Sequence, residues 1–217
     1  MIYFVIMQIM WRAVLWITKP ITDVTSGGET RALSLLISAL VMSSTTLILW
    51  LIYRKREIMH FLPIWKKDEI IKKLAYIILL GAGLSAVLNV VLNSLATLTV
   101  PYIMNEEKAK QFFDAATYDH STPLLEGLVV YVVISPLLEE LIFRWLLKER
   151  IGRVFSKNIT IVLTAAFFGF YHGNVLQGIY AFLCGLVMGH LVYKEEALLA
   201  PLLFHMTANA FIFLSSY

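Results

Sequence analysis

Charge is scarce in this chain: Asp, Glu, Lys and Arg make up 15% of its 217 residues, where a soluble domain carries about a quarter. Cysteine is nearly absent. Cys184 stands alone, which excludes an intramolecular disulfide framework and a cysteine-based metal cluster. It lies in an apolar run, where a cysteine acts as a small buried hydrophobe rather than a reactive thiol. With six prolines and eleven glycines the chain has no low-complexity tract, and no internal repeat is visible. The N-terminus, MIYFVIMQIMWRAVLWI, lacks the basic n-region and small-residue cleavage site of a signal peptide, so a retained membrane segment is expected.

What the sequence has in place of charge is apolar length. Hydrophobic residues reach 59%, and residues 33–53 and 74–100 carry no charged side chain. At about 1.5 Å per residue each run is long enough to cross a hydrocarbon core of roughly 30 Å. The expected fold is therefore all-α, a polytopic membrane helical bundle of about seven transmembrane segments. These fall near 1–17, 33–53, 74–100, 124–147, 159–173, 175–193 and 197–217. Gln8 and Arg12 weaken the first, and the count drops to about six if it lies at the interface. We read 1–217 as a single membrane domain, with anchor helices over 1–100 and a core over 124–217 in which polar residues recur. Gly185 and Gly189 form a small-xxx-small pair suited to close helix contact.

Basic residues concentrate in two loops. Residues 54–73 hold seven Lys or Arg and 148–158 hold four, whereas 101–123 has two lysines against four acidic residues. The positive-inside rule makes the first two loops cytoplasmic and the third external. A multi-pass protein of the cell membrane with its N-terminus inside is expected. Such loops meet anionic lipid headgroups, and no nucleic-acid partner is implied.

The stretch SPLLEELIFRWLL breaks the apolar pattern with Glu139, Glu140 and Arg144. Unpaired at a bilayer centre, these three cost about 8–10 kcal/mol, against roughly 5–9 kcal/mol returned by the Leu, Ile, Val and Phe of the segment. The charges must therefore face protein or water and be paired. Glu140 and Arg144 stand at i, i+4 in the favourable order for an intrahelical ion pair. Glu139, about 100° further round a helix of 3.6 residues per turn, needs another partner or a proton. Pro136 can loosen the backbone and admit a polar pocket.

Two further polar clusters follow, His172 in FFGFYHGN and the i, i+4 pair His205 and Asn209 in LLFHMTANA. On a straight-helix ruler Glu139 and His205 lie about 11–12 Å from the cytoplasmic edge and His172 roughly 20 Å, a mismatch that helix tilt would reduce. A shared pocket opening to the cytoplasmic half is expected. A glutamate, two histidines and an asparagine suit the deprotonation of water and the stabilisation of an oxyanion. Glu139, His172 and His205 are also possible zinc ligands, although HExxH is absent and neither histidine has a second ligand at i+3 or i+4. GxGD is absent as well, and no Gly-x-Ser element has a serine positioned as nucleophile.

EExxxR (Glu139, Glu140, Arg144), FxxxH (Phe168, His172) and HxxxN (His205, Asn209), in this order and in hydrophobic segments, resemble the CPBP family of CAAX proteases and bacteriocin-processing (Abi) enzymes. The resemblance covers about 124–217. It implies an intramembrane endopeptidase acting through a glutamate-activated water on a membrane-associated, prenylated or secreted peptide. Glu139 would be the base and His172 its partner, and His205 and Asn209 would line the oxyanion side. Glu140, Arg144 and Phe168 would support the site, with no metal or other cofactor. A non-catalytic immunity or scaffold protein and a zinc-dependent protease are the other readings of the same residues.

Overall fold

The computed structural model describes residues 61–114 and 123–216. The expected segments at 1–17 and 33–53 lie outside them, as does the first part of the 54–73 loop. Among the described residues every regular element is helical: α1 (Ile70–Ile103), α2 (Glu106–Asp114), α3 (Leu124–Gly127), π1 (Leu128–Ile134), α4 (Ser135–Glu140), π2 (Leu141–Leu147), α5 (Lys148–Gly152), α6 (Lys157–Tyr171), α7 (Val175–Glu195) and α8 (Leu199–Ser215). Here π1 and π2 are π-helical.

Two long apolar helices among the described residues, α1 and α7, have the length and composition to cross a bilayer, which points to a membrane protein. The expected seven spans are not reached among the described residues. Helices α6 and α8, of 15 and 17 residues, fall short of the roughly 20 that a full crossing takes, and the 124–147 segment is interrupted by wider π turns. On α1 the side chains of Ile71, Leu79, Val90 and Leu98 are exposed. An apolar face of that extent has acyl chains, not water, as its natural solvent.

Residues 123–138 belong to one compact unit, and 61–114 with 139–216 to another. In the first, α3 starts after Pro123 and passes into π1, where Ser135 N–H donates to Val130 O. Pro136 follows directly and has no N–H to give, so the looser backbone expected around it is present one turn earlier.

In the second unit, α6 and α7 pack antiparallel. The tight reversal HGN is set residue by residue. His172 ends α6, Gly173 takes φ 67°, and the Asn174 side chain accepts from the N–H groups of Leu176 and Gln177 at 2.9 and 3.1 Å. A positive φ suits glycine, and an Asn cap satisfies two donors that a helix start leaves open. Backbones approach closely along this pair. A Cβ on Gly169 would come within 2.7 Å of Gly178 O, one on Gly185 within 3.1 Å of Ala165, and one on Gly189 within 2.9 Å of Ile161. The Gly185 and Gly189 pair therefore sits at a close helix contact, as its spacing implied.

Helices α1 and α8 run parallel where they meet. Gly81 faces Phe204, with 2.7 Å from a Cβ there to Phe204 O, and Ser85, one turn on, donates to Ala208 O at 3.0 Å. At the start of α8, Phe61 O accepts the N–H of Leu199. Nearby, Trp65 Nε1 and Lys73 Nζ both donate to Glu195 at the end of α7, at 2.6 and 3.0 Å. Phe143, Phe168, Met188, Phe204 and Ala208 lie in the core of this unit with Cys184, which is buried as expected.

Candidate active site

Glu139 and Glu140 close α4, and Arg144 lies in the middle of π2. Glu140 is fully buried and Arg144 1% exposed. Their ion pair, Arg144 Nη1 to Glu140 Oε1 at 3.0 Å, is the i, i+4 contact that the spacing implied. Arg144 Nε and Nη2 have no hydrogen-bond partner. The guanidinium instead lies over the Phe168 ring, 4.3 Å from its centroid, a cation–π contact of the kind that gains strength when desolvated. Gly185 makes room for it, since a Cβ there would stand 3.3 Å from Arg144 Nη2.

His205 joins the two glutamates. Its Nδ1 is 2.9 Å from Glu140 Oε1 and its Nε2 3.5 Å from Glu139 Oε2. The same Glu140 oxygen thus serves Arg144 and His205, a double duty the sequence spacing did not reveal. A carboxylate paired to an arginine only accepts, so His205 donates its Nδ1–H to Glu140. That leaves Nε2, toward Glu139, as the nitrogen that can gain or lose a proton.

His172 is oriented by its own helix. Nδ1 lies 2.9 Å from Phe168 O, and a carbonyl can only accept, so Nδ1 carries a proton and Nε2 is the nitrogen left for other contacts. Phe168 is the hub of the ring contacts. It meets His172 edge-on at 4.9 Å, His205 at 5.5 Å and Phe143 at 5.1 Å between centroids. It packs on one side under Arg144 and on the others against both histidines.

His172, His205 and Asn209 line one small cavity with Phe168 and Tyr180, with about 20 Å³ over which the centre of a water molecule can lie. That is room for one water. The straight-helix ruler separated His172 from His205 by about 8 Å in depth. It failed to place them: both histidines line the same cavity, and Phe168, one turn before His172, packs its ring against His205. Glu139 meets this group through His205 Nε2. Among the described residues no group of three His, Cys, Asp or Glu side chains is placed so that it could hold a metal ion. Sequence reasoning missed Tyr180 on the cavity wall and Ser85 behind it. Neither belongs to a motif, and a lone hydroxyl on an apolar helix carries no signal.

Comparison with curated proteins and with solved structures gave no match. The model of the family described as "Type II CAAX prenyl endopeptidase Rce1-like" matches residues 121–211. That stretch includes both glutamates, Arg144, Phe168, both site histidines and Asn209. Over residues 121–211 the chain is thus similar to the type II CAAX prenyl endopeptidases, which supports the CPBP-family resemblance of its motifs.

Proposed function

We propose that the protein hydrolyses a peptide bond of a membrane-associated or prenylated peptide with a water activated by Glu139. The match to a CAAX prenyl endopeptidase family supports a peptidase; the glutamate mechanism and the substrate are our reading. The observation that carries the mechanism is His205 held between two buried carboxylates, at 2.9 and 3.5 Å, beside a water-sized cavity shared with His172 and Asn209. Glu139 takes a proton from water as the oxygen attacks the scissile carbonyl. Asn209, and His205 when its Nε2 carries a proton, donate to the oxyanion that forms. His172, through its Nε2, orients the attacking water. The proton held by Glu139 then passes to the leaving nitrogen as the C–N bond breaks.

Cleavage of a prenylated or membrane-bound peptide by the purified protein tests this reading. Activity should be unchanged after exhaustive chelation. Loss on chelation with recovery on adding Zn²⁺ would replace it with a metalloprotease. A wild type with no proteolysis would favour a polar brace in an immunity or scaffold protein.

The basic loops support a sidedness in which 54–73 and 148–158 face the cytoplasm and the site opens toward that side. Cys184 is buried, which keeps labelling background low. Applied outside intact cells, a membrane-impermeant thiol reagent should mark Ser121→Cys and leave the exposed Ser156→Cys untouched. The opposite pattern would invert the topology.

A further inference from the structure

A hydroxyl chain crosses from the N-terminal half of the protein to the cavity wall. Ser85 on α1 is fully buried. Its Oγ lies 3.0 Å from Ala208 O and 2.6 Å from the phenolic oxygen of Tyr180 on α7. The directions are fixed by counting protons. Ala208 O can only accept, so the one hydrogen of Ser85 goes there, and Tyr180 must donate its own to Ser85 Oγ. Tyr180 lines the cavity together with His172, His205 and Asn209. Ala208 immediately precedes Asn209 and is three residues beyond His205.

We propose that Ser85 and Tyr180 are positioning residues for His205 and Asn209, so that α1, outside the 121–211 family match, completes the active site. His205 contacts two carboxylates on opposite ring nitrogens, at 2.9 and 3.5 Å. Rotation of α8 about its axis would lengthen at least one of these contacts and swing Asn209 with it. Two features of α1 oppose that rotation: the close backbone approach at Gly81 and, one turn on, the Ser85 bond to Ala208 O. Tyr180 fixes the Ser85 hydroxyl from a third helix. A hydrogen bond in so apolar a setting has no water to replace it.

The inference rests on the proteolytic reading, and its test is built to separate the two. Wild type, Glu139→Gln, Ser85→Ala, Tyr180→Phe and the double variant Ser85→Ala/Tyr180→Phe are purified alike. Cleavage kinetics and thermal midpoints are measured, with ¹⁵N-histidine NMR spectra in which loss of a peak in His205→Asn identifies His205. Ser85→Ala should lower kcat by roughly 10- to 100-fold, the scale of a misplacement of up to about 1 Å, with KM unchanged. Tyr180→Phe should lower kcat less, because Ser85 can still reach Ala208 O. The double variant should be no worse than Ser85→Ala, since both changes break one chain. The His205 resonance should move in each of the three. Unchanged kcat and an unmoved His205 resonance, even with a lower thermal midpoint, would assign these bonds to packing alone and overturn the proposal. If the wild type does not cleave, or Glu139→Gln cleaves as well as wild type, the catalytic reading fails. The His205 resonance then decides the positioning role by itself.

Discussion

Replacing Glu139 by Gln is expected to reduce peptide cleavage by about 10²–10⁴-fold, the range supplied by general-base catalysis, while thermal stability in detergent stays near that of the wild type. Gln has nearly the shape of Glu and can still hydrogen-bond toward His205 Nε2, 3.5 Å from Glu139 Oε2, but it cannot accept a proton from water. Glu139 is 7% exposed and, unlike Glu140, is not the direct counter-ion of Arg144. Removing its charge therefore leaves no cation stranded. Steady-state kinetics with one peptide and a thermal scan of the same preparations check both halves. Cleavage at wild-type rate by a well-folded Glu139→Gln protein would remove the glutamate mechanism.

The elements that sequence revealed are those whose physics is local. Long uncharged runs announced α1 and α7. The i, i+4 spacing announced the Glu140–Arg144 pair, and the glycine spacing announced the close contact of α7 with α6. Motif order along the chain was enough to single out both site histidines and Asn209. What remained hidden is non-local. Glu140 and His205 are 65 residues apart, and nothing in the spacing of either motif says that they share a proton. The π turns also escaped, because hydrophobic periodicity is read on a 3.6-residue rule that Leu128–Ile134 and Leu141–Leu147 do not follow. The second of them, π2, widens the turn that holds Arg144, next to the two glutamates. Helix α8 shows the same limit: the apolar run 197–217 includes flanking residues, and the helix inside it, Leu199–Ser215, is shorter than the run.

Glu140→Gln is expected to act on stability first, by about 3–5 kcal/mol, the loss typical of breaking a buried ion pair from one side. Glu140 and Arg144 are 0% and 1% exposed, and their contact is 3.0 Å. Water cannot reach the guanidinium to compensate, and its Nε and Nη2 already lack hydrogen bonds. The Phe168 face remains, 4.3 Å away, but a cation–π contact of about 2 kcal/mol does not replace the counter-ion in direct contact. Cleavage should fall as well, for a separate reason: His205 loses the charged acceptor of its Nδ1–H, at 2.9 Å. The two effects can be pulled apart by removing both charges. In Glu140→Leu/Arg144→Met no charge is stranded, and an apolar pair of similar volume is often as stable as the ion pair it replaces. Thermal midpoint and membrane yield should return most of the way to wild type, and peptide cleavage should not. A stable Glu140→Gln protein would mean that Arg144 finds its neutralisation elsewhere. A double variant that regains cleavage together with stability would show that Glu140 serves only as a brace, and that His205 needs no partner on Nδ1.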